Sequence, residues 1–367
     1  MKTKTPLKLL AISTLLLFLN FQKLNAQTDS SKHVSFSFLP IIISDPFVGL
    51  GYGVLTNVNY VLGPKETTRF SNTQAYILKT TNGQFAAQIN HQIFLKDEKW
   101  IVQGKLQYLD WPEYTYALGA NTPSDGLDKD TVKYKALDFE ERVLYKIKKY
   151  HFIGVQYKLY SAWDVKGGKA AGQFFENNAI GTNKFTASGL GVHYIYDSRD
   201  NVQNAFKGKY IELAINPYAQ FMGSTQNWTN LRLDARTYYQ FKTTRTMVIA
   251  NRFIAEQAIG DAPYMIMPQT GRLFTTRAYV QGRYRGNLFM AYEAELRAHL
   301  WRFIGGVAFA GANTVSEKNG EILYINPSAG AGLRFNINKA QRTNIRVDYA
   351  VGANSNSGLY FHITEVF

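Results

Sequence analysis

The sequence predicts an all-β fold, a transmembrane antiparallel β-barrel of sixteen strands with one long loop tucked into its lumen. Three observations carry the barrel: an export leader with no later apolar run long enough for a membrane helix, apolar–polar alternation over unusually long segments, and short connections interleaved with long ones.

The leader comes first. Lys2, Lys4 and Lys8 precede the apolar run "LLAISTLLLFL" (9–19), and "LNA" (24–26) ends in a small residue at the expected cut. This pattern reads as a signal peptide over 1–26, with 27–367 as a single outer-membrane barrel domain. An apolar run of that length is too short to cross a bilayer, and no later run approaches the ~18–20 residues a membrane helix needs. The chain has no cysteine, which excludes a lipidated cysteine, a disulfide framework and a thiolate metal site. Of the formal charge of +14, lysines 2, 4, 8 and 23 supply four, leaving +10 after cleavage. A basic exported chain is expected to meet anionic lipid and lipopolysaccharide rather than nucleic acid.

Alternation supplies the strands. In 342–352, Thr343, Ile345, Val347, Tyr349 and Val351 share one face, and Arg342, Asn344, Arg346 and Asp348 the other. In 288–300, Leu288, Met290, Tyr292, Ala294, Leu296, Ala298 and Leu300 oppose Glu293, Glu295, Arg297 and His299. The same split recurs in 229–241, 151–160, 133–148 and 84–95. A soluble sandwich alternates too, but its strands run about 5–6 residues. These run to roughly twice that, as a tilted membrane strand of ~9–11 residues or more requires.

In order, strands are expected near 33–43, 48–60, 69–80, 83–95, 99–110, 133–147, 150–163, 185–197, 207–220, 227–242, 245–259, 287–301, 303–314, 323–337, 342–352 and 357–367. Tight connections at 96–99, 148–150 and 242–245 alternate with long ones at 111–132, 164–184 and 260–286. That is the asymmetry of periplasmic turns and external loops in outer-membrane barrels. In the last strand Leu359, Phe361, Ile363 and Phe367 form the closing-strand signal, and Glu365 is expected at the headgroup rim.

Three stretches resemble one family, the BamA/TamA-like outer-membrane assembly barrels, also called bacterial surface antigens. "YDSRDNVQNAFKGKYIEL" (196–213) is similar to the family's acidic–Arg–Asp–Asn turn, with Asp197, Arg199, Asp200 and Gly208. "TRAY" (276–279) falls at the family's Val-Arg-Gly-aromatic motif, in the long loop after 245–259. "GLYFHITEVF" (358–367) resembles the family's ending. Two departures stand out: Ala278 replaces the motif Gly, and Ala310 stands where many members carry Asp. Members commonly carry periplasmic repeat domains before the barrel; here only about six residues separate the expected cut from the first strand, so none is expected.

The resemblance implies that the loop folds back into the lumen and that its Arg contacts the inner wall. Independently, Glu293 and Glu295 share lumen-facing parity opposite a wholly apolar face. A bidentate Arg277–Glu295 contact is therefore expected, with Arg283 and Arg285 sharing Glu293, Asp234 or Asp348 and Tyr279 beside them. The alternative is an extended external loop whose arginines meet lipopolysaccharide phosphates. Asp197, Arg199, Asp200 and Gly208 read as local turn chemistry.

No Gly-x-Ser-x-Gly elbow, His-Glu-x-x-His or phosphate loop occurs, and the six histidines are scattered singly, so no enzyme, metal or cofactor is expected. The resemblance implies insertion or translocation of proteins at the outer membrane of a Gram-negative bacterium, with client barrel proteins or a periplasmic protein as partners. An outer-membrane channel or structural barrel on the same scaffold is the alternative. A lumenal lipid hydrolase, needing a serine near His299 or His193, is the remote one.

Overall fold

The computed structural model describes residues 34–45, 49–116, 118–119, 130–167, 184–241, 246–271, 276–317, 324–339 and 342–367. The expected signal peptide, the turn at 242–245 and the side chain of Ile363 lie outside them.

Seventeen strands follow one another. They are β1 (Val34–Asp45), β2 (Gly49–Tyr60), β3 (Ser71–Thr80), β4 (Phe85–Phe94), β5 (Trp100–Asp110) and β6 (Glu113–Thr115). Next come β7 (Asp130–Lys148), β8 (His151–Gly167), β9 (Phe185–Asp197), β10 (Gly208–Tyr218), β11 (Trp228–Phe241) and β12 (Met247–Gly260). The last five are β13 (Leu288–Trp301), β14 (Ile304–Ser316), β15 (Asn326–Asn338), β16 (Thr343–Gly352) and β17 (Ser357–Ile363).

Sixteen of these are the expected long strands. The addition is β6, a three-residue strand inside the expected loop 111–132, which extends the edge that β5 forms against β7. Every long strand pairs antiparallel with its neighbour in sequence. β1 and β17 lie side by side over a shorter stretch than any other pair of adjacent long strands, and among the described residues no ladder pairs them.

The wall is inverted relative to a water-soluble protein. Phe36, Ile77, Ile153, Val192, Ile215, Tyr292, Leu296 and Tyr349 are exposed on the outside. Asp138, Glu212, Asp234, Arg252, Glu295, Arg334 and Asp348 are buried inside. With lipid as the outer solvent this is the stable arrangement: the apolar face needs no cover, and polar groups find one another in the lumen.

Apolar clusters lie at both ends of the lumen. At the long-loop end Tyr264, Met265 and Ile266 of the loop after β12 pack on Tyr134, Phe185, Tyr218 and Trp228. At the other end Phe367 packs against Ala205, Tyr238 and Ala250.

The C-terminus departs from expectation. β17 ends at Ile363, because Thr364 adopts φ 74° and turns the chain inward. Glu365 is consequently not at the headgroup rim. It is buried, accepting from Arg334 Nε at 2.7 Å and from Asn344 Nδ2 at 2.7 Å. Arg297 Nη2 donates to the backbone oxygen of Phe367 at 2.7 Å. Arg334 and Arg297 keep donors beyond those that Asp348 and Glu295 accept, so an inward turn that brings the tail's acceptors to them is favourable.

Candidate functional site

The long loop leaves β12 through Gly260, whose φ of 91° favours glycine, and returns into β13 at Leu288. Its two limbs hold each other: Thr270 N donates to Tyr284 O at 2.9 Å, and Gly282 N to Thr270 O at 3.0 Å. Tight turns bond Tyr279 N to Thr276 O and Arg283 N to Val280 O. The loop is thus a folded finger, and Arg277, Tyr279, Arg283 and Arg285 are all buried. None of the three guanidinia reaches the outer surface, which removes the lipopolysaccharide reading.

Arg277 sits on carboxylates from two strands. Its Nη2 donates to Glu293 Oε1 at 2.7 Å and also to Glu295, its Nε reaches Glu293 Oε2 at 3.4 Å, and its Nη1 donates to Asp348 Oδ2 at 3.0 Å. The expected fork on Glu295 is therefore on Glu293. Glu295 is shared, because Arg297 Nε takes its other oxygen at 2.7 Å. Burial alone depresses the Arg277 guanidinium, but Glu295, Glu293 and Asp348 outweigh it and hold the group above its ordinary value.

The space for this comes from β15 and β16. A side chain at Gly332 would overlap Asp348, and one at Gly352 would overlap the Tyr279 ring. From β14, Phe309 stacks under Arg277, ring centroid 3.4 Å from Cζ. Ala310 points outward and is exposed, so it is not the lumenal position; Phe309 is. Ala278 holds φ 90°, a backbone conformation costly for a residue with a Cβ. Tyr279 ties the finger to the wall, donating to Pro327 O at 2.6 Å and accepting from Ala353 N at 2.9 Å.

Arg283 and Arg285 do not share the expected carboxylates. Arg285 donates to Glu113 Oε1 at 3.2 Å and Tyr264 O at 2.8 Å, beneath the Tyr264 ring. Arg283 lies over the rings of Tyr116 and Tyr284 at 4.7 and 4.5 Å. The reason is supply. Glu293 and Asp348 are engaged by Arg277, while Asp234 binds Arg236 and Arg252, each at 2.7 Å. Sequence reading missed Glu113, which sits in "WPEYTY" (111–116). Only the aromatic density of that supposed loop hinted that it is buried.

The turn between β9 and β10 is more than local. Asp197 accepts from Arg199 Nε at 2.9 Å and from the distant Arg69 Nη1 at 2.8 Å. Asp200 Oδ1 caps the amides of Phe206 and Lys207, and its other oxygen accepts from Arg342 at 2.7 Å. Gly208 has φ 106°, and any side chain there would strike Ser198. The turn therefore reaches across the barrel mouth to the start of β16. His193, one of the two candidate hydrolase histidines, has its ring nitrogens beside Glu212, Arg142 and Asn216, none of them the serine that reading requires.

A sixteen-strand wall, apolar outside and ion-paired inside, with a loop arginine clamped in the lumen, defines a β-barrel of the outer-membrane type. The chain belongs to the Omp85 superfamily, whose domain matches residues 22–367. Among curated proteins no sequence matches it. Its fold is similar to the crystal structure of BamA from Haemophilus ducreyi lacking POTRA domains 1–3, with TM-score 0.60 and 11% identity, covering 90% of this chain and 70% of that one. It is also similar to CdiB from Acinetobacter baumannii, with TM-score 0.59 and 10% identity, covering 91% of this chain and 60% of that one. The chain thus spans less than two thirds of the length of CdiB. At these identities the likeness is one of fold. Membership places the protein in the Gram-negative outer membrane.

Proposed function

We propose that this barrel promotes insertion or translocation of other proteins at the outer membrane, acting at its β1–β17 seam rather than through its lumen. The observation that supports this reading most is the clamp on Arg277. Three buried carboxylates hold the loop in the lumen, apolar clusters lie at both ends, and the β1–β17 contact is the shortest between adjacent long strands. A wall that opens at one edge exposes unpaired strand groups to which a client strand can add. The clients would be unfolded barrel proteins, delivered by a periplasmic partner, with residues 27–367 acting as one barrel domain.

The test uses purified barrel in liposomes and an unfolded outer-membrane client. Wild type is compared with Arg277→Ala and with a cysteine pair that locks β1 to β17. The expected result is client insertion faster than in bare lipid, abolished by the lock and restored by reduction. Insertion at the bare-lipid rate, together with a conductance that ignores the lock, would replace this reading with a channel on the same scaffold.

A further inference from the structure

One row of register partners on the lipid-facing side carries ionisable groups. Thr73, His91, Gly104, Glu141 and Tyr157 lie side by side across β3, β4, β5, β7 and β8. Their outward parity is fixed by Ile89, Leu106 and Tyr145, which share their faces and are exposed. His91 Nε2 donates to Glu141 Oε1 at 3.1 Å, with the two side chains 23% and 31% exposed. They stand on strands two apart, and the bond passes over Gly104, where any Cβ would overlap both. Glycine at this position is what allows the pair to form.

The pair is deep in the membrane. On β5 the outward face runs from Trp100 to Tyr108, each in an aromatic girdle: Trp100 against Tyr145, and Tyr108 against Phe85 and Trp163. Gly104 lies midway, four residues from each. At about 3.4 Å per residue and a tilt near 45°, that is roughly 10 Å inside both girdles. Ionisable groups facing lipid cost most at this depth, and acyl chains offer nothing to the ring's second nitrogen or the carboxylate's second oxygen. A chain that places both there has a use for them.

We propose that this row is the interface between two copies of this chain within the membrane. Each copy brings a donor and an acceptor side by side. A two-fold axis along the membrane normal beside Gly104 sets His91 of one copy against Glu141 of the other, so a single patch is its own complement. The small Gly104 lets the two walls approach. Hydroxyls extend the polar contact on either side, Thr73 with Tyr60 at 3.1 Å and Tyr157 with Ser188 at 2.9 Å.

The chain has no cysteine, so single cysteines report contacts cleanly. Leu106→Cys lies beside the row, and Leu296→Cys lies on β13, also exposed to lipid. After oxidation in liposomes at high lipid excess, Leu106→Cys should give at least tenfold more disulfide-linked dimer than Leu296→Cys. Adding His91→Leu with Glu141→Leu should lower that yield at least tenfold. The apolar replacements suit a lipid-facing wall, and the heat-modifiable folded band on electrophoresis reports that the barrel is intact. Equal yields at the two positions, no dimer at Leu106→Cys, or a yield unchanged by the double replacement would overturn the proposal. The Leu106→Cys comparison stands even where the double variant fails to fold.

Discussion

Along β2 to β5 the lumen is lined mainly with amides, Lys105 aside, whereas along β10 to β16 it is lined mainly with guanidinium and carboxylate groups. On the first wall Asn72 donates to Asn59 at 2.8 Å, Tyr76 to Gln88 at 3.1 Å and Gln107 to Tyr76 at 3.2 Å. Among the described residues, Asn90 Oδ1 and Gln103 Oε1 there are buried without a partner. On the second wall Asp234, Glu295 and Asp348 each accept from more than one arginine. The finger of the long loop docks on the charged wall and ignores the neutral one. Charge thus decides where the plug sits. An arginine in a lumen shielded from water needs carboxylates, and amides cannot replace them. The two sectors are also reversed on the outside, since the His91–Glu141 pair lies on the lipid face of the amide sector.

The largest test of that contrast is Arg277→Ala. It leaves buried Glu293 without its arginine, takes one arginine each from Glu295 and Asp348, and should destabilise the barrel by about 3–5 kcal/mol. Urea unfolding in detergent measures it, and a loss under about 1 kcal/mol would mean that the clamp carries little. Next is Arg285 with Glu113, which joins the finger to β6. A double-mutant cycle with Arg285→Met and Glu113→Gln should give a coupling of roughly 1.5–3 kcal/mol; additivity would show the pair to be incidental. On the amide wall, Gln88→Ala should cost no more than about 1 kcal/mol, the worth of a neutral hydrogen bond. A cost equal to that of Arg277→Ala would erase the distinction between the walls. Smallest is Ala278→Gly, which relieves φ 90° and should stabilise by up to about 1 kcal/mol. A destabilised Ala278→Gly would show instead that the Ala278 methyl, packed in the lumen, outweighs the strain.

Much of the fold was legible because a barrel wall has only two faces. Once Leu288 to Leu300 showed an unbroken apolar side, Glu293 and Glu295 had to face the lumen, and the same parity placed Asp234 and Asp348. Parity cannot say which arginine meets which acid. Arg277 takes the fork on Glu293 because Arg297, two residues along from Glu295, competes for the latter. Glu113 escaped because β6 is too short to show a period. The inward tail escaped because Phe367 resumes the apolar parity of β17 after the break at Glu365, while Thr364 turns the backbone. His91 and Glu141 come from strands far apart in sequence, and only the register across Gly104 brings them together.

The most direct measurement of the central claim is the conductance of the purified barrel in a planar bilayer, wild type against Arg277→Ala. A finger clamped on the charged wall predicts a wild type that stays closed or nearly so, and a variant that opens to a steady, larger conductance. A wild type that conducts steadily at the level of Arg277→Ala would contradict the clamp and the sealed lumen built on it.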